Sequence, residues 1–384
     1  DEGRSRFLSG SCQVGNRQAQ MLDVYPEFNA RSWARARIAD GPRAMHAIYV
    51  EVQTDEASAG IYGPIGEYQA FLIDHFLRDF LVGRDPLATE LLHDQMLRLH
   101  RHGRSGMFVT AVSAVDCALW DLKGKVWEQP VYRLLGGPVR EAVPAYASML
   151  GFSIEPEAAA EVAQAYKAEE FSAQKWFFRY GPGDGEEGLA QNLAMAQAVR
   201  EAVGPYYRLM FDAFMGWDMP YARAMMQALA LLNPTWVEEP LPPEHVGGLR
   251  KLREMTGVPV STGEHVYTRW QVKELLEREA VDFVQTDPDW TGGITELVKI
   301  CALASAFDVP VVAHGHSLLP ALHVAGSQSS TVVPFVEFLI RHQEAQQFFH
   351  IPIYWPESGA VYLPDLPGLG LVLDEEKIEA REVL

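Results

Sequence analysis

Three acidic residues recur at one interval in the middle of the chain: Asp212, Glu238 and Glu264, each 26 residues after the one before. Each closes a short apolar segment, in RLMFDAF, TWVEEP and VPVSTGE. Carboxylates gathered in one place raise one another's pKa, and a divalent cation removes the repulsion. An all-oxygen donor set suits Mg²⁺, with Mn²⁺ able to substitute, and no HExxH or cysteine ligand set competes with it. The next two segments end in Asp287, in QTDPDW, and His314, in AHGHS, 27 residues apart. A carboxylate beside an imidazole fixes its tautomer and raises its basicity, which is what a general base needs. His316 and Asp289 compete for the same two roles.

Other residues leave more than one reading open. Glu337, in PFVEFL, is either a protonated donor or half of an ion pair. Lys175, in AQKWFFRY, can grip a substrate carboxylate, act as a base or form a structural ion pair. Strand alternation turns Glu239 away from Glu238, into a supporting or structural position. His245, His265 and Arg269 follow the acidic segments in loops, where they can touch substrate or face solvent. Arg179 and the GPGDG loop after it are no phosphate cradle, because no GK[ST] accompanies them.

Side chains so far apart in sequence converge only if regular elements bring them together. Eight short apolar segments, starting at 143, 173, 208, 235, 258, 281, 309 and 334, alternate with polar helical stretches of ten to twenty residues. Such alternation implies right-handed βαβ crossovers and a parallel sheet, and eight units imply closure into a barrel with its strand-end residues at one mouth. An open doubly wound sheet is the second choice, since the glycine-rich turn after its first strand is missing. Upstream, HAIYVEV reads as a strand, TDEASAGIYGPIG as turn, short strand and loop, residues 66 to 102 as helix broken near Gly83 and Pro86, and Phe108 to Lys125 as an amphipathic helix. The expected division is an α+β domain over 1–140, a β/α barrel over 141–345 and a tail over 346–384 that packs back on the N-terminal region.

With 384 residues, 48% hydrophobic and 22% charged, the chain has the composition of a globular protein and not of a disordered or disulfide-stapled one. No run of apolar residues is long enough for a transmembrane helix. A formal charge of −19 disfavours nucleic acid and anionic membranes as partners, so an anionic substrate needs local positive charge. Cys12, Cys117 and Cys301 have no paired spacing, which suits a reducing, cytoplasmic location. The opening DEGRSRFLSGSCQVGNRQAQ shows neither period nor the apolar core of a signal peptide, and reads as a trimmed, tagged or mobile segment.

FDAFMGWD, WVEEPLPP, STGEH, QTDPDWTGG and AHGHS, with AVDCALWDLKGK and YRLLGG before them, resemble the enolase superfamily, in its mandelate racemase group of acid-sugar dehydratases and racemases. The resemblance runs from about residue 46 to the end. It implies a modified (β/α)8 barrel with a capping domain built from the N-terminal region and the C-terminal tail, and a specificity loop around Gly60 to Ile65. By the same resemblance Asp212, Glu238 and Glu264 are magnesium ligands, Asp287 and His314 the dyad, and Glu337 the acid beside the substrate carboxylate.

Within the group, LLHDQM, the KxxxxYGPxDG stretch from Lys175 and the His-Gly pair at His314 look most like rhamnonate dehydratases. Many relatives carry Lys-x-Lys on the second strand; here Lys175 matches the first lysine and Phe177 replaces the second, which removes one base of a two-base racemase. The expected activity is therefore Mg²⁺-dependent dehydration of a 2,3-dihydroxy acid sugar to a 2-keto-3-deoxy acid. The alternatives are a racemase or epimerase on the same site and a non-catalytic protein that binds metal and sugar acid. Relatives are often dimers or octamers, so a homo-oligomer is expected. Specificity is assigned to cap residues 22–40 and 54–66, which include Tyr25, Arg31, Arg35, Arg37 and Tyr62 without a readable code.

Overall fold

The computed structural model describes residues 45–56 and 58–384, together with Gln18 and Met21. The rest of the opening segment, Cys12 and the cap positions Tyr25, Arg31, Arg35 and Arg37 lie outside the described residues. Two compact units emerge, one containing residues 147–261 and one containing residues 47–146 and 262–384.

In the second unit, β1 (Ile48–Gln53) pairs antiparallel with β2 (Ala59–Ile65). The segment from Gly60 to Ile65, within the stretch read as turn, short strand and loop and implied by the resemblance to be a specificity loop, is thus a strand. Its backbone lies against the helix Met107–Val126, so closely that a Cβ on Gly60 would fall 2.1 Å from the Ala118 carbonyl oxygen. The broken helix resolves into a run over 67–81, with a π-turn at Ile73–Leu77, and a separate helix Thr89–Leu99. Met107–Val126 is buried along nearly its whole length, and Asp121 on it ties three segments together. Its carboxylate accepts from Ile61 N (2.8 Å) and Leu369 N (2.8 Å) and pairs with Lys125 (2.6 Å). The tail therefore returns to the N-terminal helix, as the sequence suggests.

The alternating region begins with β3 (Ala142–Ser148) and continues through β4 (Ala173–Phe177), β5 (Arg208–Asp212), β6 (Trp236–Glu238), β7 (Val260–Thr262) and β8 (Phe283–Val284). These strands are consecutive neighbours in one sheet, and β9 (Val336–Leu339) pairs back with β3, the succession of a (β/α) barrel. The seventh expected strand, from residue 309, is reduced to single bridges, Val284 with Val311 and Ala313 with Val336. Pro310 cannot donate a ladder hydrogen bond, and the chain turns at Gly315 within two residues of the second bridge. β10 (Ala360–Tyr362) adds antiparallel to β3 from the tail. No helix among the described residues is long and apolar enough to cross a membrane.

Burial holds three imidazoles of this unit neutral. Desolvation pushes His93, His323 and His350 each down to about 4. With folded values below the unfolded value near 6.5, the stability they give is full above about pH 6.5 and lost as pH falls through about 4. Asp116, pushed up to about 7 by burial, has the opposite sign: its contribution is full below about 3.8 and lost as pH rises through about 7. Each of the three imidazoles contributes a loss toward acid. Urea titrations between about pH 6.5 and 4.5 should show the unfolding free energy of the wild type falling more steeply toward acid than that of His323→Gln. An equal slope in that variant would contradict the assignment.

Candidate active site

The register of the first unit brings three of the expected residues together. Phe177 pairs with Asp212, and Asp212 pairs with Glu238, so the two carboxylates stand side by side where β5 and β6 end. Both are buried, at 3% and 0% exposure. Lys175, two residues before Phe177, places its Nζ 2.8 Å from Glu238 Oε2 and 3.2 Å from Asp212 Oδ2. Phe214 N also donates to Asp212 Oδ1 (2.9 Å), and Trp236 Nε1 to Glu238 Oε2 (3.3 Å). The Phe177 ring lies 5.2 Å from the Lys175 ammonium, on the same face of β4, so it brings an aromatic surface where a second lysine would stand. Strand alternation does not orient Glu239: β6 ends at Glu238, and Glu239 takes a left-handed φ of 41° with its side chain buried.

The second unit assembles the remaining expected residues around His314. Its Nδ1 lies 2.9 Å from Asp287 Oδ2 and its Nε2 3.2 Å from Glu264 Oε2. Asp287 is fully buried and fixed by Ser317 Oγ (2.5 Å) and by Asp289 N (2.7 Å), both donating to Oδ1. These donors and the imidazole overcome the burial that would raise its carboxyl, and hold it below the ordinary range. Burial opposes charge on His314 as well. The carboxylates of Glu264, Asp287 and Glu337 outweigh it and lift the imidazole to about 10.

Glu337 accepts through Oε2 from Gly315 N (2.9 Å) and Gln285 Nε2 (3.2 Å). That oxygen is an acceptor for two neutral N–H groups, so the structure supplies a third environment beside the two the sequence left open. The rivals His316 and Asp289 do not displace the dyad: they approach each other at 3.3 Å, while the geometry joins His314 to Asp287. His265 lies beside Glu264 (3.3 Å). Arg269 pairs with buried Glu296 and thus has a structural partner.

The sequence did not reveal Trp290, whose ring stacks on His314 with centroids 4.9 Å apart. Its place between the two competing aspartyl and histidyl positions was the available signal. Nor did it reveal Gln285, which reaches both Glu337 and the Tyr146 hydroxyl.

The donor set suits a divalent cation. Asp212 and Glu238 bring two buried carboxylates to the Lys175 ammonium, and their negative charge and oxygen donors match Mg²⁺. Replacing Lys175 by Met leaves that charge without its ammonium. Removal of one member of a buried ion pair costs about 3–5 kcal/mol, and this is the loss expected in chelator. Added Mg²⁺ should shrink it. Equal losses with and without Mg²⁺, in urea titrations of wild type and Lys175→Met, would separate Lys175 from any cation at these carboxylates.

The chain is similar to known proteins over most of its length. Positions 45–136 match the mandelate racemase / muconate lactonizing enzyme N-terminal domain, and positions 157–377 match the enolase C-terminal domain-like family. An L-rhamnonate dehydratase of Saccharopolyspora erythraea is 36% identical over 380 residues, covering 96% of this chain and 92% of its own length. Rhamnonate dehydratase from Gibberella zeae, solved in complex with Mg, superposes with a TM-score of 0.82 at 31% identity, over 96% of this chain and 89% of that one. A racemase from Streptomyces coelicolor A3(2) with bound magnesium superposes at 0.76 with 29% identity, over 86% and 89%.

Proposed function

The chain belongs to the enolase superfamily, in the branch of mandelate racemase and muconate lactonizing enzyme, and from that membership we propose a Mg²⁺-dependent acid-sugar dehydratase that acts on L-rhamnonate. The observation that carries the chemistry is the buried contact of His314 Nδ1 with Asp287, which turns Nε2 toward Glu264 (3.2 Å) and makes it the atom we assign to exchange a proton with substrate beside that carboxylate.

In this reading Asp212, Glu238 and Glu264 hold the metal. Bound Mg²⁺ supplies a Lewis acid that draws off the charge building on the substrate carboxylate as its α-proton leaves. The protein's own groups do the rest. A cation on Glu264 would cancel the carboxylate that does most to lift the His314 imidazole, so that its Nε2 can stand neutral and take the proton from C2, while Asp287 keeps the ring in the tautomer that can accept it and steadies the imidazolium formed. The C2 electron pair becomes a C2–C3 double bond as the C3–O bond breaks, the hydroxyl takes a proton and departs as water, and the enol ketonises to a 2-keto-3-deoxy acid. His314, now protonated, is the available donor for that hydroxyl. Glu337 is assigned to the substrate carboxylate, and Lys175 supplies positive charge beside two of the metal ligands. Three ligand carboxylates and a substrate carboxylate exceed the charge of one Mg²⁺, so a neighbouring cation has a physical purpose.

Phe177 favours dehydration over racemisation, because a two-base racemase needs a proton carrier on each side of the α-carbon and a phenyl ring carries none. The reading also includes a cytoplasmic location and a homo-oligomer, the latter testable by sedimentation. The experiment is turnover of a panel of acid sugars that includes L-rhamnonate, with Mg²⁺ and with chelator, scored for 2-keto acid. Metal-dependent product from L-rhamnonate is expected, with His314→Asn folded but slower by about 10²- to 10⁴-fold. Deuterium entering recovered substrate from D₂O without loss of water would overturn the dehydratase in favour of an epimerase.

A further inference from the structure

A second aspartate–histidine pair lies directly behind the dyad, two residues further along in each strand-end segment. Asp289 Oδ2 and His316 Nδ1 approach to 3.3 Å, and Asp289 is fully buried. The two pairs are not independent. Asp289 N donates to Asp287 Oδ1 (2.7 Å), and His316 N donates to Asp287 Oδ2 (3.2 Å), so the backbone of the second pair clamps the carboxylate of the first. The Trp290 ring is packed against both imidazoles, 4.9 Å from His314 and 5.1 Å from His316, with interplanar angles of 30° and 38°.

The second pair is tied in turn to the N-terminal α+β segment. Gln69 is buried to 1% exposure on a short helix whose other side chains are mostly open to solvent. Its amide nitrogen donates to Asp289 Oδ1 (3.2 Å) and Thr110 O (3.1 Å), and its amide oxygen accepts from Gly66 N (2.7 Å). Gly66 immediately follows β2, the strand that carries Tyr62. Tyr62, His316, Ser317 and Gln346 line a cavity of about 30 Å³ beside this junction. A continuous buried polar chain thus runs from the end of β2 through Gln69 and Asp289 to Asp287 and His314.

We propose that Gln69, Asp289 and His316 are positioning residues that lock the His314–Asp287 dyad to the β2 segment, with Trp290 as the spacer between the two imidazoles. His316 acts here through its backbone N–H on Asp287, the approach of its ring to Asp289 and its packing against Trp290, and carries no proton of the reaction. Members of a buried polar chain are coupled, so removing one is felt at the next and at the reacting group the chain supports. The proposal rests on the dehydratase reading for its kinetic consequences and on geometry alone for its structural ones.

The test uses Gln69→Met, Asp289→Asn, His316→Leu and His316→Asn in the full chain. Asn keeps an amide donor near the position of the imidazole Nδ1, and Leu does not. Melting curves first establish that each variant is folded. Loss of such a supporting partner is worth about 10- to 100-fold, so kcat should fall by that factor in Gln69→Met, Asp289→Asn and His316→Leu, with KM little changed. The rate of α-proton exchange into D₂O should fall by the same factor. His316→Asn should recover most of the activity lost in His316→Leu. In parallel, the low-field proton NMR resonance of His314 Nδ1–H, assigned by its absence in His314→Asn, should shift or broaden in the three impaired variants. That readout needs no substrate, so it separates failure of this inference from failure of the dehydratase reading. Unchanged kcat and an unchanged resonance in Gln69→Met and Asp289→Asn would overturn the proposal. So would equal loss in His316→Asn and His316→Leu beside a fully active Gln69→Met, which would make His316 itself a proton carrier.

Discussion

Negative charge buried at the ends of strands is the constraint around which this molecule is arranged. Asp212, Glu238, Asp287 and Glu337 are each at most 3% exposed. A carboxylate withdrawn from water is tolerated only if fixed charges or hydrogen-bond donors replace the solvent. The two units supply the replacement in different ways. In one, a single ammonium, that of Lys175, serves both Asp212 and Glu238. In the other, Asp287 takes an imidazole, a hydroxyl and backbone N–H groups, and Glu337 takes a backbone N–H and an amide. The parallel sheet makes such an arrangement available because successive strands end in register, as Asp212 and Glu238 do.

Much of this was legible in the sequence because interval and element coincide. A spacing of 26 residues is one strand, one helix and two short connections, so carboxylates repeated at that spacing fall at equivalent strand ends. The dyad was legible for the same reason. The choice between His314 and His316, or Asp287 and Asp289, was not, since residues two apart share a face for as long as the strand lasts. Here the strand does not last. β8 closes at Val284, and the seventh position has only bridges at Val311 and Ala313, so the direction of these four side chains is set by turns and hydrogen bonds. Glu239 is the same case: its left-handed φ comes one residue after β6 and cancels the alternation argument. The pattern around Gly60 to Ile65 showed a short strand between turn and loop, and the resemblance alone implied a specificity loop there. Gly60 is required by the close approach of the helix beneath it, a tertiary contact that no local pattern reveals.

Lys175 shows how far geometry can decide a role that residue type leaves open. A lysine that serves as a base must present a lone pair toward substrate. This one donates to Glu238 at 2.8 Å, approaches Asp212 at 3.2 Å and is 1% exposed. Those contacts make it a partner of the two carboxylates, and the ring of Phe177, 5.2 Å from its Nζ, adds a quadrupole that favours positive charge. Both features act in one direction. In the other unit, taken by itself, Asp287 holds one nitrogen of the His314 imidazole at 2.9 Å and Glu264 approaches the second at 3.2 Å. A site with one proton carrier can remove an α-proton and expel a β-hydroxyl, but it cannot return a proton to the opposite face of the carbon. A phenyl ring at position 177, which carries no proton, therefore agrees with the elimination proposed above and not with an inversion.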